Sequence, residues 1–254
     1  MKIRVFSDLH LEMDCLEFSY KFIGEDVLVL AGDIYTKNRH SKFLDEIPSH
    51  VKIIMVPGNH EAYMKNFEDT IRGLRHLEYE YPNFKLLHNE ELIINGVHFF
   101  GGMMCTDFSL YRNQPLAEIT AERGINDFHM ISKTDPGIVG IFRKWSVEDH
   151  KAQYKTFVKN LKDWLKRTEG QKRVVISHFA PIEKAIAPQY KNSLLNPYFV
   201  VDNTHLMGWE GYWFFGHVHS CYEGSVGDTK LICNPKGYGD YENLSFNENL
   251  VIEI

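Results

Sequence analysis

The chain has 254 residues, of which 44% are apolar and 24% charged, with a formal charge of −6. This is the mix of an ordinary globular protein able to bury a sizeable core, and it excludes a disordered chain. The acidic balance gives the surface as a whole no pull on long nucleic acid or an anionic membrane, and no segment approaches the roughly 20 apolar residues of a membrane span.

The chain opens MKIRVFSDLH, too short an apolar run and too charged for a secretory signal, so the expected location is cytoplasmic. Cys15, Cys105, Cys221 and Cys233 lie far apart with no C-x-x-C pair, which predicts free thiols in a reducing compartment. KIRVFS, DVLVLAG and VKIIMVPG are short β-branched runs that stop at small or turn-forming residues, separated by longer polar segments. Near-continuous apolar strands between helices predict parallel strands covered on both faces. KLLHN, ELIING and VHFFGG then follow at short intervals, as antiparallel hairpins would.

From about Thr106 to Val147 the pattern is broken by YRNQP, RGINDF and KTDPG. Residues 106–147 therefore read as a loop-rich insertion, either a lid or binding segment or a surface excursion with helices of its own. SVEDHKAQYKTFVKNLKDWLKR is a helix. Ser146 can cap it with Asp149 at the third position, and Tyr154, Phe157, Val158, Leu161, Trp164 and Leu165 fall on one face. RVVISH returns to strand, and GYWFFGHVHS, KLICNP and NLVIEI suit a second sheet. With no repeat or linker, residues 1–254 read as a single domain.

Five of the apolar runs share one habit: each ends on a side chain that can bind a metal. KIRVFS runs into Asp8-Leu9-His10, DVLVLAG into Asp33, VKIIMVPG into Asn59-His60, RVVIS into His178, and YWFFG into His217-Val218-His219. Ligands of open parallel sheets bind where the loops at the strand carboxyl ends converge. Residues two apart on extended backbone project to the same side, which pairs Asp8 with His10 and His217 with His219. Gly32, Gly58 and Gly216 precede three of these positions and permit sharp turns. Carboxylates, an amide oxygen and imidazoles, with no thiolate, make a set suited to manganese, iron or zinc. A lone D-x-H or G-D is common in turns; their joint occurrence in this order is the signal.

That ordered set resembles the calcineurin-like metallophosphoesterase superfamily, whose signature runs D-x-H, G-D, G-N-H-(D/E), H and G-H-x-H. Here it reads SDLH, AGDI, PGNHE, SHFAP and FGHVHS over residues 8–219, and TDF and CNPKGY are similar to bacterial members described as predicted phosphoesterases. The resemblance implies an α/β fold, a four-layer α/β/β/α sandwich of the metallo-dependent phosphatase type, and two divalent metal ions. One would be held by Asp8, His10, Asp33 and His219, the other by Asp33, Asn59, His178 and His217, with Asp33 shared. A hydroxide bridging metals about 3.5–4 Å apart would attack phosphorus. Two divalent ions less the charges of Asp8, Asp33 and that hydroxide leave a positive cluster for a phosphate oxygen. His60 would act as general acid, an imidazole being titratable near the operating pH.

The second motif, GDIYTKNRH, lacks the Asp and Arg that Ser/Thr protein phosphatases of this superfamily carry in GDxxDRG. The acid that orients His60 is then unassigned, with Asp14, Glu61 and Asp107 as substitutes. His40, His50, His76 and His150 sit in polar helical text and read as surface residues, and His98 as structural. His129 and His205 lie near presumed site loops, and Tyr111, Arg112, Asn113 and Lys133 fall in the insertion; a solvated role is the plainer reading for each. Trp209, Tyr212, Trp213, Phe214 and Phe215 read as core. The expected protein is a metal-dependent phosphoesterase acting on a small phosphorylated substrate, in particular a small-molecule or nucleotide phosphodiester. A phosphomonoesterase, a nuclease and a non-catalytic scaffold are the alternatives.

Overall fold

Apolar residues alternate between two interiors along nearly every strand, and that alternation builds the layers. The computed structural model describes residues 1–13, 18–36, 39–135, 137–138, 140–239 and 242–254. Asp14 and Cys15 lie outside the described residues; Cys105, Cys221 and Cys233 are free thiols. The strands are β1 (Lys2–Phe6), β2 (Val27–Leu30), β3 (Lys52–Met55), β4 (Phe84–Leu86), β5 (Glu90–Ile94), β6 (Val97–Gly102), β7 (Ser132–Thr134), β8 (Phe142–Lys144), β9 (Lys172–Ser177), β10 (Gly208–Phe215), β11 (Tyr222–Cys233) and β12 (Val251–Glu253). The helices are α1 (Ser41–Leu44), α2 (Phe67–Glu80), α3 (Gln114–Gly124), α4 (Asp127–Met130), α5 (Val147–Arg167) and α6 (Asn196–Phe199).

One sheet runs β12-β1-β2-β3-β4 and the other β11-β10-β9-β6-β5, with β7-β8 a separate hairpin. Pairing is parallel except at the edges, β1 with β12 and β5 with β6. Val5, Val29 and Ile54 of the first sheet pack with Phe99, Ile176 and Phe214 of the second in a core between the sheets. Their neighbours Phe6, Leu28, Leu30 and Met55 face outward, where Leu74 and Leu77 of α2 cover them. Val175, Trp213 and Phe215 face out from the second sheet under Phe157, Leu161 and Trp164 of α5. The result is the expected four-layer α/β/β/α arrangement.

The outermost layer depends on α5. Ser146 Oγ accepts the Asp149 N–H at 3.2 Å and Asp149 Oδ2 accepts the Ser146 N–H at 3.0 Å, the reciprocal cap that starts the helix. Lys133 braces the same carboxylate at 3.1 Å. Phe157 and Trp164 set their rings 5.3 and 5.6 Å from Phe100 on β6. Truncating the fully buried Trp164 to Ala is worth about 3–5 kcal/mol.

Four expectations need correction. KLLHN is not part of a hairpin: β4 runs parallel to β3, pairing Phe84 with Ile53, because the turn after α2 returns the chain alongside that strand. NLVIEI joins the first sheet, where β12 pairs antiparallel with β1. His40 and His150 are buried rather than on the surface. His40 faces Glu61 at 3.6 Å, and His150 Nε2 accepts the Thr106 N–H at 3.1 Å. Both occupy polar-looking text, but each meets a polar partner that only the tertiary fold supplies. Among the described residues no helix is long and apolar enough to cross a membrane.

Candidate metal centre

The donors stand at the carboxyl ends of β1, β2, β3, β9 and β10, and their backbone is bent to present them. Asp8, His10, Asp33, His217 and His219 all have positive φ, at 51°, 45°, 56°, 72° and 45°. For non-glycine residues this conformation costs about 1–3 kcal/mol each and concentrates at functional sites. Hydrogen bonds hold the strained turns in place: Asp8 N–H to the Gly32 carbonyl and His10 N–H to the Asp33 carbonyl, each 3.0 Å. The Asp8 carboxylate in turn accepts the His217 N–H at 3.0 Å from both oxygens, which ties the first strand end to the last. A Cβ on Gly216 would lie 2.6 Å from Asp8 Oδ2, so that close approach requires glycine.

Glu61 is fully buried and holds two further strand ends together. Its carboxylate accepts the N–H groups of Asp33 at 3.1 Å, Ile34 at 2.7 Å and Gly58 at 2.7 Å. It therefore fixes loops and does not orient His60.

Among the described residues Asp8, His10 and His219 form one cluster and Asp33, His178 and His217 another, with ligand atoms in each within 4.8 Å of one another; His10, Asp33 and His60 meet the same limit between them. His178 Nε2 lies 3.3 Å from Asp33 Oδ2 and 3.0 Å from Asn59 Oδ1. Asp33 Oδ2 is also 3.9 Å from His10 Nε2, so this carboxylate stands between the clusters. Its other oxygen accepts the His60 N–H at 2.8 Å. Asn59 turns its oxygen toward His178 because Asp127 Oδ1 accepts its Nδ2–H at 2.9 Å.

The imidazoles share an arrangement that suits metal ligands. His10 Nδ1 meets Glu12 at 3.2 Å, His178 Nδ1 the Ala31 carbonyl at 2.9 Å, and His219 Nδ1 Glu242 at 3.1 Å. Each Nδ1–H is thereby committed outward, leaving Nε2 as a lone-pair donor toward the centre. His10 and His219 bring those Nε2 atoms within 3.1 Å, and His217 Nε2 is buried with no hydrogen-bond partner. A buried orphan nitrogen beside carboxylates is costly unless a cation meets it. The donor set fits divalent metals on this ground.

His60 lies beside both clusters at the wall of a cavity of about 360 Å³. Its ring stacks on Tyr63 at 4.1 Å, its Nδ1 meets Glu12 Oε1 at 3.2 Å, and its Nε2 meets the Tyr238 hydroxyl at 3.0 Å. Burial opposes its charged form, but the Asp33 charge and the Glu12 hydrogen bond outweigh burial and raise its pKa. Burial likewise opposes ionisation of Glu12, yet bonds from His10 and His60 hold it at about 2.

The structure thus brings together the strand-end residues named from the sequence, with supports that the sequence reading missed. Glu12, not Glu61 or Asp107, is the acid at His60, and Asp107 instead accepts the Ser109 N–H at 2.9 Å. Its position two residues beyond His10 is the one signal that could have exposed it. Asp127 gave none, lying in irregular text far from Asn59. Tyr238 closes the CNPKGY motif, and Glu242 follows soon after. Tyr111, Arg112, Asn113, Lys133, His129 and His205 do not line the cavity; Tyr111 only accepts a bond from the lining Asn196 at 3.0 Å.

A family model described as calcineurin-like phosphoesterase matches residues 1–221. The chain belongs to that family. Calcineurin-like phosphoesterases use two divalent metals, and this member is a metal-dependent phosphoester hydrolase. It is similar to the uncharacterized protein L509 of Acanthamoeba polyphaga mimivirus, at 28% identity over 284 residues covering 99% of this chain and 96% of the relative. Its fold is similar to that of phosphopantetheinyl hydrolase (PptH) from Mycobacterium tuberculosis, with a TM-score of 0.67, 17% identity, and coverage of 93% of this chain and 89% of that one.

Proposed function

We propose that this calcineurin-like phosphoesterase hydrolyses small phosphodiesters, with Asp8, His10, Asp33 and His219 holding one metal and Asp33, Asn59, His178 and His217 the other. The observation that carries the diester reading is the cavity lining. Among the described residues it contains Asp33, Asn59, His60, His217 and His219 and no Lys or Arg. A monoester dianion calls for cationic donors beyond the metals, whereas a diester brings a single negative charge. A recessed cavity of about 360 Å³ also suits a small molecule better than a long polyanion.

Two divalent ions in this donor set would supply positive charge to phosphate oxygens and make a water more acidic. The chain's own residues do the rest. Glu12 holds the His60 Nδ1 side and, with the Asp33 charge, favours the imidazolium, whose second proton is on Nε2 in the cavity wall. As water oxygen bonds to phosphorus and the ester P–O bond breaks, His60 Nε2 gives that proton to the departing alkoxide. The proton released by the water restores the imidazolium. The Tyr238 hydroxyl, now on Nε2, must yield its place to the leaving oxygen. Ile125 and Asn126 of the 106–147 segment lie in the cavity wall, which favours a binding role for that segment within one domain.

The test is hydrolysis of bis-p-nitrophenyl and p-nitrophenyl phosphate by manganese-loaded protein, wild type against His60→Ala. The expected result is faster diester turnover, lowered about 10²–10⁴-fold in the variant with metal content retained. Equal background rates in both fully loaded proteins would instead mark a non-catalytic scaffold.

A further inference from the structure

Asp33, Asn59, His217 and His219 of the donor set line the cavity, and other parts of the wall have a different chemistry. Ile125, Ile186, Leu195, Phe199 and Val218 line it, drawn from the 106–147 segment, the loops between β9 and β10, and the final motif. Beyond the centre the polar lining is neutral, as with Asn126 and Ser193. Asn196 has its amide protons already committed, to the Tyr190 carbonyl at 2.8 Å and the Tyr111 hydroxyl at 3.0 Å. The lining also holds an acid, Glu242, already paired with His219 at 3.1 Å. Tyr190 continues the apolar surface outward, 56% exposed.

A second anionic group on the substrate would lose its hydration here and meet no Lys or Arg among the described lining residues, while an apolar group would be buried at no such cost. We propose that this arm of the cavity selects phosphodiesters carrying one uncharged, largely apolar ester group, a specificity that rests on the diesterase reading above. Nucleotides that bear further phosphates, and sugar phosphates with a second charged group, are then poor ligands. Ile125, Ile186 and Leu195 are the specificity-determining side chains.

The experiment uses methyl alkyl phosphates, from methyl through butyl to hexyl, as competitive inhibitors of bis-p-nitrophenyl phosphate hydrolysis by the manganese-loaded protein. Affinity is expected to rise about fourfold with each added methylene until the arm is filled. Methyl 3-carboxypropyl phosphate, close in length to the butyl compound, is expected to bind at least tenfold more weakly, from the desolvation of its unpaired charge, on the order of one to two kcal/mol or more. Ile125→Lys should narrow or reverse that gap. A flat alkyl series, or a carboxylate that binds as well as the butyl chain in wild type, overturns the proposal. Calorimetric titration of the same ligands separates the two readings: a protein that fails to turn over any diester but still prefers hexyl sinks the diesterase reading and leaves the apolar arm standing.

Discussion

The two halves of the candidate centre use the same kind of strand-end donor but are braced in opposite ways. In the outer half, His10 and His219 lean on the carboxylates of Glu12 and Glu242, at 3.2 and 3.1 Å, which retain 15% and 36% exposure. In the inner half, His178 leans on a main-chain carbonyl, Asn59 on the wholly buried Asp127, and His217 lies against the Phe199 ring at 4.9 Å. Two imidazoles only two residues apart show the consequence. Burial opposes the charged form of His219, but Asp8 and Glu242 overcome it and raise the pKa to about 10. Burial pushes His217 well below the ordinary range, and the nearby His178 adds to the shift. An anionic brace makes an imidazole a stronger donor, while a dry, neutral brace leaves a nitrogen that only a cation satisfies. The outer half is therefore braced by acids that keep contact with solvent and the inner half by buried groups.

Removing what the halves share should give the largest effect. Asp33→Asn is expected to empty both, with metal content by mass spectrometry falling from two ions per chain to fewer than one and diesterase activity dropping by about 10³-fold or more. A variant that kept both ions would break the division of labour described here. Asp127→Ala should act on the inner half alone, because the Asn59 amide loses the acceptor that aims its oxygen. Metal titration is expected to show one of two affinities weakened about 10- to 100-fold, with the other unchanged. Glu242→Gln should do the converse, at the lower end of that range, about tenfold on the outer site.

The smallest effect is on pH dependence without metal. The His178 pKa is raised to about 9 and that of His219 to about 10. Groups raised above the unfolded value of about 6.5 give a stabilisation that is complete below that pH and lost as pH climbs through the folded pKa. The melting temperature of the metal-free protein is thus expected to fall by a few degrees between pH 6.5 and 10, and less in His219→Asn. Metal affinity should rise over the same window, since binding must displace those protons. His217, already neutral, contributes to neither trend, and a matching loss of slope in His217→Asn would contradict the contrast between the halves.

Much of this protein was legible in its sequence because the signals were local. A β-branched or aromatic run stopping at Asp8, Asp33, Asn59, His178 or His217 reports both a strand and what it delivers, since extended backbone and the turn after it are decided within a few residues. The α5 cap was legible for the same reason, being a reciprocal pair three residues apart. What the sequence did not decide needed contacts across the chain. Which sheet β4 and β12 join depends on edges left open elsewhere, and the burial of His40 and His150 on polar partners from other segments. Glu12, Asp127 and Glu242 act through a second residue, and Ile125, Ile186 and Leu195 form a wall only when separate loops meet. A donor is announced by its own strand; a brace or a wall exists only once folding has brought its partners within a few ångströms.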